Sequence, residues 1–220
     1  WFSYHPDPEL EAAIQDLRLP GLVDFVWQGL PLGQVVLPSL RWALRRHHLL
    51  DDGGTVFLLR QYLLSAWNVA QEFNRFLDER QPQGLVVFNG ISFPEAIARH
   101  LAMQRGLWVV THEVGLQPLT AYFTHGQATA YPIDIPPDYR LSPVQDERLN
   151  RYLQDRMKGN FTMAGIRFWP EMEGLSAEFL ERAAGFRQIV PVFTNVIFDT
   201  SQMHANVIFP DMFAWLDEVV

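Results

Sequence analysis

The longest regular pattern in the chain runs from Thr55 to Arg80, where Leu58, Leu59, Tyr62, Leu63, Ala66, Val69, Ala70, Phe73, Phe76 and Leu77 recur every three or four positions. That spacing puts them on one side of a 3.6-residue helix and predicts a long amphipathic helix, stopped by Pro82-Gln83-Gly84. A shorter helix is predicted from Pro6 to Leu17: Asp7-Pro8-Glu9 supplies N-cap and first-turn chemistry, and Leu10, Ile14 and Leu17 share a face. From Gln34 onward, Val35, Leu40, Ala43 and Leu44 predict a third helix with Pro38 in its first turn or at a kink. It follows a Gly29-Leu30-Pro31-Leu32-Gly33 loop. Leu22 to Trp27 is too short to assign between a strand and an extended connection.

The period changes at Leu85-Val86-Val87-Phe88, an unbroken apolar run of the kind that fills a parallel sheet covered on both faces, ended by Asn89-Gly90. Pro94 to Arg105 predicts a helix with Pro at N1, Glu95 in the first turn and Gly106 at the left-handed C-terminal position. A second apolar strand, Leu107 to Thr111, follows at once. Strand, helix and strand within roughly 30 residues form a βαβ crossover, the unit of a doubly wound sheet with ligands at the carboxyl ends of its strands. The loops Asn89 to Phe93 and His112 to Gly115 are therefore the expected functional loops.

Gln117 to Leu141 has no period and four Pro, and reads as a long loop beside a site. Ser142-Pro143 opens a helix to about Met157, Glu171 to Gly174 is a turn, and Ser176 to Ala184 is a helix ending at Gly185. Ile189 to Phe198 predicts a further strand, followed by a His204 to Asn206 loop and a helix from Pro210. This last unit resembles the start of a second α/β domain, which puts a boundary near Gly185.

With 220 residues, 48% of them hydrophobic and 19% charged, the chain has the balance of a packed globular protein. The net charge of −8, with only 17 Lys and Arg, argues against a nucleic-acid partner. The basic run Arg45-Arg46-His47-His48 suits either a solvated helix end or a phosphate neighbour. The absence of Cys excludes disulfides, thiolate metal sites and a Cys nucleophile. No apolar run approaches the ~20 residues that cross a bilayer, and no secretory leader is recognisable. A soluble, cytoplasmic protein is the expectation. The chain opens without Met and closes on Trp215-Leu216-Asp217-Glu218-Val219-Val220, inside what reads as a helix, so both ends are expected to be cut.

Candidate chemistry gathers at the strand ends. Glu113, immediately past a buried strand, is placed to take a proton from a hydroxyl, although a His112-Glu113 pair that only caps a neighbouring backbone has the same pattern. Asn89 offers a donor and an acceptor and Gly90 a close approach, which suits hydroxyl-rich ligands; ordinary turn chemistry explains the pair as well. Gly29 and Gly33 precede a helix and could present amides to a phosphate, but no Walker A or GxGxxG pattern surrounds them. Thr194-Asn195 and Asp199-Thr200-Ser201 lie at the end of the last predicted strand, where nucleotide contacts or plain capping would both fit. The His spacing predicts no metal, and no GxSxG elbow is present.

Gly29-Leu30-Pro31-Leu32-Gly33 with Ser39 and Arg41, the long helix ending in a Pro turn, the motif VVFNG, the motif THEVG and later VFTNVIFD together resemble capsular and surface-polysaccharide glycosyltransferases of the GT-B type. The order matches from Gly29 to Trp215. The resemblance implies an α/β fold with a Rossmann-like parallel sheet flanked by helices, truncated. Residues 1–185 would be an acceptor-side domain without its first strand, and residues 186–220 the beginning of a nucleotide-sugar domain. It implies Glu113 as base, and Asn89, Gly90, His112, Gly29, Gly33 and Arg41 on the acceptor side. Thr194 and Asn195 would be nucleotide contacts. It further implies a nucleotide-sugar donor, a glycan or lipid-linked glycan acceptor, no cofactor, and room for peripheral membrane association of the full-length protein. The rest of the donor half, with that family's His-Pro and acidic motifs, is absent from these 220 residues, so the expectation is a fragment inactive alone. Competing readings are a non-catalytic carbohydrate- or nucleotide-binding domain and another α/β enzyme such as an epimerase.

Overall fold

The computed structural model describes residues 3–115, 117, 119–160, 162–163, 166–167, 174–199 and 208–220. It is a mixed α/β chain in two compact units. One comprises Trp1–Glu113, Phe123–Pro132 and Val196–Val220, the other Val114–Tyr122 and Ile133–Asn195.

The first unit is built around a helical core. Helix α1 (Pro8–Ile14) starts at Asp7, whose carboxylate accepts from Leu10 N at 3.0 Å and, through its other oxygen, from Trp67 Nε1 at 2.7 Å. Its carboxyl end is closed by Arg60, which donates to Ile14 O and Leu17 O at 3.1 and 3.0 Å and so satisfies carbonyls that the helix leaves open. Leu22 to Trp27, unassigned from sequence, divides into the tail of a short helix α2 (Leu19–Val23) and a tight turn in which Trp27 and Leu30 exchange backbone hydrogen bonds.

Helix α3 (Leu32–Leu44) begins two residues before the predicted start and carries Pro38 in its interior. The long helix α4 (Gly53–Arg80) is capped by Asp52 onto Thr55 N and packs against α1, α2, α3 and α5 (Glu95–Gln104). Its buried Leu59, Leu63, Ala66 and Ala70 meet Leu10 and Ile14 of α1, Leu32, Val36 and Leu40 of α3, and Ile97 and Leu101 of α5 in one cluster. The 3.6-residue period read from the sequence is the period of this burial.

Strand β1 (Gly84–Phe88) pairs in parallel with β2 (Trp108–Val114), Gly84 opposite Trp108 through Phe88 opposite His112, with α5 as the crossover. A third strand, β3 (Ala121–Thr124), completes the order β1-β2-β3 inside the stretch read as loop. The expectation of a sheet covered on both faces is corrected: Val86 is 57% exposed, Phe88 45% and Trp108 60%. Helix α5 covers β1 on one side, while the other face carries a row of rings, with His112 5.4 Å from Phe88 and 5.6 Å from Phe123 between centroids. An apolar run satisfies a strand, but it does not specify what covers it.

In the second unit, Ser142 and Gln145 form a reciprocal capping box at the start of α6 (Pro143–Met157), and Ser176 caps α7 (Ala177–Ala184) onto Phe179 N. A two-residue antiparallel pair, β4 (Thr162–Met163) with β5 (Ile166–Arg167), lies between them. The strand expected over 189–198 does not form: those residues have no regular structure until a turn at 197–198, and Val190, Phe193 and Val196 are exposed. In the first unit α8 (Met212–Val219) follows, capped by Asp211, close to the predicted start at Pro210. The predicted Glu171 to Gly174 turn, apart from Gly174, and the His204 to Asn206 loop lie outside the described residues. Among the described residues no helix is long and apolar enough to cross a membrane.

Candidate functional site

At the carboxyl end of β1 the backbone takes left-handed geometry at two successive residues. Asn89 N extends the parallel ladder by donating to His112 O at 2.6 Å, and the chain then turns with φ of 61° at Asn89 and 80° at Gly90. Asn tolerates that left-handed region better than most residues, and Gly is free there. The Asn89 carboxamide, 6% exposed, folds back so that Oδ1 accepts from Ile91 N at 2.9 Å and Ser92 N at 3.3 Å. Two backbone donors fix which end of the amide is oxygen. Its Nδ2 therefore faces the neighbouring strand, where it donates to Glu113 Oε2 at 3.3 Å.

Gly90 also has a packing reason. A Cβ there would lie 2.7 Å from Thr111 Cγ2 and 3.1 Å from Arg99 Cδ, so the turn is pressed against β2 and α5. Thr111 is fully buried and donates to Gly126 O at 2.7 Å, and Ala128 N donates to Asn89 O at 3.3 Å. The segment 126–131 thus closes over the strand ends, with a 3-10 turn at Ala128–Ala130 and Tyr131 after it. Burial raises the Tyr131 phenol above its ordinary value, and the negative charge of Glu113 raises it further, which places a neutral phenol in the field of that carboxylate. Across the unit, Ser39 Oγ of α3 accepts from Phe93 N at 2.8 Å and ties the end of this turn to the helical core.

The sequence placed His112 and Glu113 together in a loop, whereas both stand in β2, which runs three residues beyond the predicted Thr111. Successive strand residues point to opposite faces, so His112 joins the Phe88 and Phe123 rings while Glu113 shares the face of Thr111. Asn89, Gly90 and Glu113 are brought together; His112 is not part of their cluster.

Gly29 and Gly33 have other roles. Gly29, at φ 80°, makes the Trp27–Leu30 turn, and Gly33 lies inside α3, where a Cβ would come within 2.2 Å of Val23 O. Leu32 N and Gly33 N already donate to Leu30 O and Phe25 O, so neither amide is open to a phosphate. Arg41 sits in the last turn of α3, its Nε buried without a hydrogen-bond partner. Beyond it His47 contacts Ile197 O at 3.2 Å, and His48 lies 3.5 Å from Asp211. Thr194 and Asn195 belong to the second unit and are exposed. Asp199 ends a turn, and Thr200 and Ser201 lie outside the described residues. Among the described residues no group of three or more His, Asp or Glu is placed to hold a metal ion. A surface depression lined by Leu77, Asp78, Gln81, Pro82, Arg105 and Leu107 lies at the amino ends of the strands, away from the Asn89–Glu113 pair.

Two histidines give this unit an acid-sensitive side. Burial lowers His47, with Arg41 and then His48 adding to the effect; burial also lowers His100, with Arg99 adding. A histidine held below its ordinary 6.5 binds fewer protons folded than unfolded, so its contribution is complete above 6.5 and is lost as pH falls toward the folded value. Thermal unfolding is expected at lower temperature at pH 5.5 than at pH 7.5, and the double variant His47→Gln, His100→Gln is expected to flatten that difference.

Comparison with protein-family models, curated proteins and solved structures finds no match to this chain.

Proposed function

We propose that this chain carries the acceptor side of a GT-B-type glycosyltransferase, which moves a sugar from a nucleotide-sugar donor to a glycan or lipid-linked glycan of a surface polysaccharide. The observation that supports this most is the Asn89–Glu113 pair at the carboxyl ends of two adjacent parallel strands, where α/β sheets of this connectivity bind ligands. In this reading Glu113 accepts the proton of the attacking sugar hydroxyl. Asn89 holds the carboxylate by one amide hydrogen, and its own position is set by two backbone donors. Tyr131 adds a neutral hydroxyl near the same carboxylate. Proton transfer of this kind supplies ~10²–10⁴-fold, so stabilisation of the departing nucleotide must come from the donor side.

Calorimetric titration with UDP-, GDP-, CMP- and dTDP-sugars tests the division of labour. The 220 residues alone are expected not to bind any of them, and a version extended at the carboxyl end is expected to bind one class. Saturable nucleotide binding by the 220 residues alone would replace the two-domain reading. The alternative, a carbohydrate-binding domain without catalysis, finds support in the exposed Phe88 and Phe123 rings with the half-buried His112 between them, a surface of the kind on which sugar rings stack.

A further inference from the structure

Helix α3 ends on a basic cluster that the Asn89–Glu113 pair does not use. Arg45 turns left-handed at φ 53°, and Arg46 N donates back to Arg41 O at 3.1 Å, so the chain reverses and returns His47 to the side of Arg41. The His47 and His48 rings stand 4.9 Å apart between centroids, and the charge of Arg41 acts on His47 more strongly than that of His48 does. Coulomb interaction falls with distance, so the guanidinium and the His47 ring are neighbours. The same unit's carboxyl-terminal segment closes the other side. Ile197 O meets His47 Nδ1 at 3.2 Å, Phe198 packs edge-on against Trp42 at 5.6 Å, and Asp211, ahead of α8, lies 3.5 Å from His48 Nε2.

The acidic groups nearby are already engaged. Asp211 accepts from Phe213 N and Ala214 N and faces His48, and Asp52, which feels Arg46, caps α4. Arg41 makes no hydrogen bond or ion pair with any described residue. Only its Nε is shut off from solvent, and the rest of the half-buried guanidinium is open. His47 is half-buried too, and its bond to Ile197 O places the neutral ring's proton on Nδ1, so a second proton goes to Nε2. Burial, then Arg41, then His48 oppose that second proton, while the Ile197 bond and Asp211 favour it. An anion against Arg41 and His47 Nε2 reverses the balance, because it meets a guanidinium fork and an imidazolium donor at once.

We infer that Arg41 and His47 form a surface site for a doubly charged terminal phosphate, such as that of a sugar monophosphate, and that binding draws a proton onto His47 Nε2. Two positive charges then face two negative ones. A nucleotide-sugar is not the ligand, since its diphosphate is esterified at both ends and carries one charge on each phosphorus. The site does not rest on the transferase reading, although α3 also holds the turn after β1 through Ser39 Oγ and Phe93 N, so both sites share one supporting helix.

The test follows the His47 ring Cε1–H resonance of the purified chain by NMR from pH 5 to 8.5, in sodium sulfate and in sodium chloride at matched ionic strength. Sulfate keeps two charges throughout, so any change belongs to the protein. Saturating sulfate is expected to raise the His47 midpoint by about one pH unit, which is about tenfold tighter binding to the protonated ring. Arg41→Gln is expected to abolish the sulfate effect and, by removing a neighbouring positive charge, to raise the midpoint in chloride. At pH 7, glucose 1-phosphate is expected to shift the resonance saturably and more tightly than inorganic phosphate, and UDP-glucose not to shift it. A midpoint indifferent to sulfate, or a sulfate effect that survives in a folded Arg41→Gln, overturns the site; should that variant not fold, the wild-type titration decides. Equal affinity for glucose 1-phosphate and inorganic phosphate overturns the sugar monophosphate as ligand. None of these outcomes touches Glu113, whose role is read from turnover.

Discussion

Glu113→Gln in the full-length protein is expected, on the transferase function proposed above, to lower kcat by about 10²–10⁴-fold, with KM for the donor little changed. Gln has nearly the shape of Glu, and its amide oxygen can still accept from Asn89 Nδ2, so the pair at the strand ends keeps its geometry. What is lost is the ability to hold a proton. Steady-state kinetics with a far-UV spectrum of the variant separates the outcomes: a folded Glu113→Gln enzyme that turns over at the wild-type rate removes Glu113 as the base. A variant that changes only sugar affinity supports the binding-domain alternative. Asn89→Asp, which places a second carboxylate within reach of the first, would confuse this test and is the wrong choice of control.

The largest effect on stability is expected from Gly33→Ala, at about 3 kcal/mol or more in urea denaturation. The added methyl would lie 2.2 Å from Val23 O and 2.3 Å from Leu22 O, and both obstacles are backbone, so no rotamer change relieves them. Helix α3 would have to back away from α2 and loosen the contact of Leu32 and Val36 with the rest of the core. Gly29→Ala is the matched control. Nothing lies within 4 Å of its Cβ position, and only the φ of 80° opposes the change, a cost of about 1–2 kcal/mol. Equal effects at the two positions would mean that α2 and α3 are not packed this closely.

The helices were legible because their signals are local. Asp7 and Ser142 each cap the helix that the sequence assigns to them, and the apolar period of α4, Phe76 apart, is its buried face. Strands depend on partners, which a sequence does not display. Val192 and Phe193 belong to a run as apolar as β1, yet no strand forms there, while Ala121–Thr124, short and set among prolines, does find a place in the sheet. The same distinction divides the site. Asn89, Gly90 and Glu113 could be found because strand ends are predictable places. Tyr131 reaches that place from the end of a 3-10 turn in a stretch that reads as loop, and nothing in its sequence neighbours marks it.

The turn at Asn89-Gly90 also governs how the protein ages. Asn-Gly is the dipeptide in which the following backbone nitrogen most readily attacks the preceding carboxamide carbon, expelling ammonia to form a succinimide that water then opens to Asp or isoaspartate. Here Gly90 N is committed to Phe88 O at 2.5 Å, and the Asn89 carboxamide is held by Ile91 N and Ser92 N. Deamidation therefore proceeds in molecules whose turn has opened. Each event exchanges the donor that steadies Glu113 for a charge that repels it, so a stored sample loses the site one molecule at a time, at a pace set by local opening.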